Sequence, residues 1–204
     1  PAECDGRWQL RHELVEVGRS LASGVVQGDE EQLDAVAELY TQASPRSVLE
    51  VGCGEGLLAQ HLVQQGARPE RFEITDVDTS QVVTGLDPLI TVQQASVYEL
   101  PYPDDAFDLV VCCEVLEHVE HPTRAMAELA RVASRRVLVS TPWEPVWRVL
   151  NVMRGRYLRE FGNTPGHIQH FTRADLERLA STELRVLERR RPLPWTILLG
   201  EPLG

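Results

Sequence analysis

Lysine is absent from this chain. All 20 basic residues are arginine, they face 31 acids, and the formal net charge is −11. An acidic surface repels a phosphate backbone, so nucleic acid is disfavoured as a substrate. The best local concentrations of positive charge are Arg148, Arg154, Arg156 and Arg159, and separately Arg189, Arg190 and Arg191. Cysteine is scarce. Cys4, Cys53, Cys112 and Cys113 make no disulfide framework at this length, and there is no C-x-x-C. That usage points to free thiols in a reducing cytoplasm. Long apolar runs are missing too, which excludes a membrane-spanning helix, and no secretory leader is visible from Pro1 onward. Repeats and low-complexity linkers are also lacking. What remains is an ordinary globular composition, 43% hydrophobic and 25% charged over 204 residues, which suits one domain with a sizeable core.

The chain is organised around Ser47–Leu62, S-V-L-E-V-G-C-G-E-G-L-L-A-Q-H-L. Val48, Leu49 and Val51 read as a buried strand. Gly52, Gly54 and Gly56 follow at alternate positions, then Leu57, Leu58, Leu62 and Val63 recur at helical spacing up to Gly66. The unit is strand, glycine turn, helix. Glycine lets the backbone turn sharply and approach a ligand, and a helix start behind such a turn offers free N–H groups. A dinucleotide fingerprint would need a third glycine where Leu57 stands.

G-x-G-x-G preceded by Glu50 resembles motif I of the class I S-adenosylmethionine-dependent methyltransferases. A second run supports the same resemblance: L-P-Y-P-D-D-A-F-D-L-V-V-C-C-E-V-L-E-H-V-E-H-P, Leu100–Pro122, is similar to a large subgroup of that family. The resemblance covers roughly residue 46 to the C-terminus. It implies an α/β fold, a Rossmann-like seven-stranded mixed sheet with helices on both faces, as a single domain. Residues 1–44 would form an N-terminal helical cover, and 143–171 a substrate lid. S-adenosylmethionine is the implied cofactor and a small molecule the implied acceptor. The donor-site residues would be Glu50, Gly52, Gly54, Gly56, Asp76, Asp78, Ser96, Val97 and Glu114.

Phe72–Thr75 reads as the second strand, ending in Asp76 and Asp78. An acid there would bond both ribose hydroxyls, because a carboxylate accepts two hydrogen bonds side by side. Asp76 fits the family spacing better; the other acid would cap a helix starting near Ser80 and carrying Val82 and Val83. After the third strand, Ile90–Gln94, the family's adenine-binding acid is replaced by Ser96, with the N–H of Val97 beside it. Glu114 ends the fourth strand. One helical turn would bring it beside Glu117 and His118, a set that could hold a divalent cation, as the same run does in some relatives. The same motif also occurs in metal-independent relatives, and no metal is expected here.

Elsewhere the pattern is mainly structural. Leu10, Leu14, Val17 and Leu21 mark a first helix. Asp29 with Gln32 reads as the cap of a second, bearing Leu33, Val36, Leu39 and Tyr40. His121 reads as the cap of the helix Pro122–Ala133, and Val137–Thr141 as the fifth strand. Trp147, Leu150 and Met153 would face inward from the lid segment. Gly166–Leu176, G-H-I-Q-H-F-T-R-A-D-L, contains a Thr172–Asp175 capping box and resembles a run of the same subgroup. Leu184–Arg190 and Trp195–Leu199 would close the sheet as an antiparallel hairpin. Methyl transfer to an oxygen would need a base, and His118, His167 and His170 are the candidates. Alternatives are an RNA or protein methyltransferase, metal-assisted through Glu114, Glu117 and His118, and a non-catalytic S-adenosylmethionine-binding module.

Overall fold

The computed structural model describes residues 27–153, 163–164 and 166–204. The elements are α1 (Gln27–Ala43), β1 (Ser47–Val51), α2 (Leu57–Gln64), β2 (Arg71–Asp76), β3 (Ile90–Gln94), β4 (Phe107–Cys113), α3 (Pro122–Val132), β5 (Ala133–Pro142), α4 (Glu144–Met153), α5 (Arg173–Ala180), β6 (Leu184–Arg190) and β7 (Trp195–Pro202). The seven strands form one sheet in the order β3-β2-β1-β4-β5-β7-β6. β7 runs antiparallel to both of its neighbours, and every other pairing is parallel.

The central strands are mainly apolar because both faces are covered. Successive side chains point to opposite faces. Leu49, Val110, Cys112, Val137 and Val139 therefore pack on α3 and α5 with Met126, Leu129 and Leu176. Val48, Leu109, Val111 and Leu138 pack on α1 and α2 with Val36, Leu39, Leu58 and Leu62. Removing Phe107 or Leu129, both fully buried, would cost about 3–5 kcal/mol. None of the described helices is long and apolar enough to cross a membrane.

Strand order reverses between β1 and β4, and the crevice outside the carboxyl ends of such strands is where ligands bind in open α/β sheets. The expected strands are present, as is the capping box: Thr172 accepts from the Asp175 N–H while Asp175 accepts from Thr172.

Three local expectations fail. α1 is already helical at Gln27, so Asp29 lies inside it and is not its cap. No α-helix lies between β2 and β3 among the described residues; Thr79–Gln81 make a single tight turn. The run Thr84–Pro88 explains this: Gly85 adopts a φ of 86° and Pro88 cannot continue a helix. His121 occupies the position before α3, but its side chain makes no capping bond. The first expected helix, Cys4, Arg154, Arg156 and Arg159 lie outside the described residues.

Candidate functional site

The loop after β1 is fixed by backbone bonds before any side chain acts. The N–H groups of Gly52 and Cys53 both donate to Thr75 O, at 2.7 and 3.0 Å, and Gly56 N–H donates to Cys53 O at 2.8 Å. Gly52 has a φ of 77°, and a Cβ there would lie 2.1 Å from Val115 Cγ2. Only glycine meets both demands. Gly56, with φ 81°, opens α2 without a side-chain cap. Gly54 also has positive φ, and a Cβ on it would meet nothing within 4 Å, so its turn faces open space.

The acids around this loop are separated by role. Asp76, at the end of β2, accepts the Gly54 N–H at 2.9 Å on Oδ2 and the Asp78 N–H at 3.0 Å on Oδ1. Each oxygen keeps a second lone pair. Asp78 is engaged elsewhere: its Oδ1 accepts from Ser80 N–H at 3.1 Å and Ser80 Oγ at 2.6 Å. Glu50 is buried, and its Oε2 has no hydrogen-bond partner. Burial pushes its carboxyl up to about 8; the Ala59 N–H pulls it back and the charge of Asp76 raises it further. Ser96 Oγ accepts the Tyr98 N–H at 3.3 Å, and Val97 is buried beside it.

Glu114 sits at the end of β4 with a φ of 59°, an uncommon conformation for a residue with a side chain. The bend aims its carboxyl at α1 and β5. Oε1 accepts from Gln32 Nε2 at 3.2 Å and from Ser140 Oγ at 3.0 Å. Burial and the neighbouring Glu117 carboxylate hold the Glu114 carboxyl well above the usual range. Glu117 is only 1% exposed, and neither of its oxygens has a partner as an ionised carboxylate. Glu117 rises to about 7, chiefly through burial.

Two histidines complete the cluster. His118 Nδ1 lies 3.0 Å from Gly166 O, and burial followed by the neighbouring His167 lowers the pKa of its ring. His167 Nδ1 lies 2.5 Å from Glu144 Oε1. The two rings meet edge to face, with centroids 4.8 Å apart. One donor atom from each of Glu117, His118 and His167 falls within 4.8 Å of the others. The segment carrying His167 is tied down by Glu117 itself, whose backbone oxygen accepts from both Ile168 N–H and Gln169 N–H at 3.0 Å.

The set that could hold a cation is therefore not the expected helical turn of Glu114, Glu117 and His118. Leu116–His118 make only a tight turn, and His167 stands where Glu114 was expected. His170 does not join the cluster; it is exposed, with Nε2 2.8 Å from Asn163 Oδ1. Trp147 Nε1 donates to Thr164 Oγ1 at 2.8 Å. The sequence reading passed over Gln32 and Glu144 as site residues. The usable signals were a polar residue on the inner stripe of α1 and an acid directly after the S-T-P-W end of β5.

Residues 27–183 match the family model described as "Methyltransferase domain". Over 110 residues the chain is 36% identical to a ubiquinone biosynthesis O-methyltransferase of Alkalilimnicola ehrlichii, covering 50% of this chain and 42% of that protein. Over 108 residues it is 40% identical to a protein of Mycobacterium tuberculosis named as a probable S-adenosylmethionine-dependent methyltransferase, covering 51% of this chain and 38% of that one. In both, the match spans less than half of the relative's length. The fold is similar to magnesium protoporphyrin IX methyltransferase from Synechocystis PCC 6803, solved with bound S-adenosylhomocysteine. The TM-score is 0.63 and identity 22%, over 85% of this chain and 83% of that one.

Proposed function

The chain belongs to the methyltransferase-domain family, and from that premise we propose that it transfers a methyl group from S-adenosylmethionine to a small-molecule acceptor. The observation that carries this reading is the convergence of two differently built halves on one sheet rim. Glycine loop, Glu50 and Asp76 form one half; Glu117, His118 and His167 form the other; Glu114 stands at the end of the central strand β4, in contact with Glu117.

The first half fits the cofactor. Its loop has a turn only glycine can make, its Asp76 oxygens keep free lone pairs on the open side, and its Glu50 oxygen lacks a partner. Asp76 would take the ribose hydroxyls. Asp78, spent on Ser80, caps the following turn. Glu50 would offer an opposite charge to the cofactor's positive groups, while Ser96 and the Val97 N–H would bound the adenine side. When bound, the cofactor supplies an activated methyl group on a sulfonium, which is a good leaving group. The protein's part is to orient the acceptor and exclude water, which is worth several kcal/mol. His167, held at Nδ1, would take a proton from an acceptor hydroxyl at Nε2. A small acceptor agrees with the net charge of −11 and with a cluster built from acids and histidines. It also agrees with the ubiquinone-pathway relative.

A second reading is favoured by the unpartnered oxygens of Glu117: a divalent cation held by Glu117, His118 and His167, which would polarise an acceptor oxygen as a Lewis acid.

Thermal melting with S-adenosylhomocysteine, with NAD as control and each with and without EDTA, tests both readings. At 100 times its dissociation constant a ligand stabilises by about 2.7 kcal/mol, a rise of roughly 5–10 °C at this size. A rise with NAD alone, or with neither, would overturn the donor assignment. A melt that EDTA lowers and Mg²⁺ or Mn²⁺ restores would establish the cation.

A further inference from the structure

We propose that Glu144 is the positioning residue of this site: it fixes His167 as the Nδ1–H tautomer, so that Nε2 is presented as a lone pair toward Glu117 and His118. This rests on the acceptor-side reading of the cluster given above. The contact is short, 2.5 Å between His167 Nδ1 and Glu144 Oε1, and closed to water, with His167 8% and Glu144 3% exposed. An ionised carboxylate only accepts hydrogen bonds, so Nδ1 carries a proton, and in the neutral ring Nε2 is then the lone pair.

His118 is arranged the same way by a different partner. Gly166 O can only accept, so His118 also carries its proton on Nδ1. Two imidazoles locked in one tautomer offer two Nε2 lone pairs beside an unpartnered carboxylate. The partners differ in one respect. A neutral carbonyl suffices to hold the ring of His118, whereas a buried carboxylate costs desolvation. What the carboxylate adds is charge, which raises the electron density at Nε2 of His167.

Glu144 is placed by the backbone on both sides of it. Trp143 N–H donates to Pro194 O at 2.8 Å, and Glu144 N–H donates to Phe171 O at 3.2 Å. One and two turns further along α4, Trp147 Nε1 and Asn151 Nδ2 both donate to Thr164 Oγ1, at 2.8 and 3.2 Å. These bonds join α4 to the segment that carries His167. The carboxyl thus meets the ring at a junction whose two sides are already fastened together.

Nitrogen-15 spectra of the histidine-labelled chain, with His167 assigned through His167→Gln, read the tautomer directly and need no acceptor. The wild type is expected to show Nε2 of His167 in the unprotonated region and Nδ1 in the protonated region. Glu144→Leu, which keeps bulk and removes the acceptor, is expected to lose that pattern, and Glu144→Asp to retain it. An Nε2–H tautomer in the wild type would overturn the proposal without any variant. So would a single Nδ1–H tautomer in Glu144→Leu, or identical behaviour of the Leu and Asp variants. The S-adenosylhomocysteine melt is independent of this readout, so failure of the donor assignment and failure of the tautomer assignment are told apart.

Discussion

Replacing Glu50 by glutamine is expected to make the ligand-free protein more stable while weakening its grip on the donor. In the folded chain the carboxyl rises from 4.5 to about 8, mainly because burial disfavours its charged form. The sign follows from linkage. A carboxyl with a raised folded pKa binds more protons folded than unfolded, so it costs nothing below 4.5, costs progressively more as pH climbs to about 8, and is constant above that. At 1.36 kcal/mol per unit the cost is about 2 kcal/mol at pH 6 and about 4 kcal/mol at pH 8. Glutamine has nearly the same shape, can still accept the Ala59 N–H through its amide oxygen, and does not titrate. The melting temperature of Glu50→Gln should therefore exceed that of the wild type, by roughly 4–8 °C more at pH 8 than at pH 6. Scanning calorimetry at both pH values, without ligand, measures the difference; groups that titrate alike in the two proteins cancel. In parallel, titration calorimetry above pH 8, where Glu50 is ionised, should show weaker S-adenosylhomocysteine binding by the variant, since the ligand's ammonium loses an opposite charge. A gap in melting temperature independent of pH would refute the reasoning, because it would mean that Glu50 folds with an ordinary pKa.

Two further predictions concern the same rim. Asp76→Ala should weaken S-adenosylhomocysteine binding by more than Asp78→Ala, which removes a turn cap of about 1 kcal/mol; equal or reversed losses by calorimetry would reassign the ribose contact. Gly52→Ala should destabilise the fold by more than 2 kcal/mol through the clash with Val115 and the positive φ together. The double variant Gly52→Ala/Val115→Ala should recover the clash alone, and urea titration of both would separate the two parts.

Much of the fold was legible because periodicity and punctuation agreed. Val48–Val51 and Leu109–Cys113 are continuous apolar runs bounded by turn residues, and a strand covered on both faces leaves that trace. The G-x-G-x-G turn was legible because the positive φ values it needs are available to few other residues. The helix expected after β2 was misread because Val82 and Val83 suggested periodicity while Gly85 and Pro88, a few residues on, forbade it. The site was legible where chemistry followed the chain and opaque where it crossed it. Glu114, Glu117 and His118 are sequence neighbours and were grouped by spacing. The positive φ of Glu114 instead turns its carboxyl toward Gln32 and Ser140. The vacancy in the group is filled by His167, and Glu144 stands behind it; only the packing of α4 against the segment before α5 brings these together, and no local pattern encodes that.

Glu117 holds the molecule together in two ways at once. Its carboxylate belongs to the chemical cluster, while its backbone oxygen receives the N–H groups of Ile168 and Gln169. Any movement that lifts this segment away from the sheet breaks both bonds and carries His167 off with it.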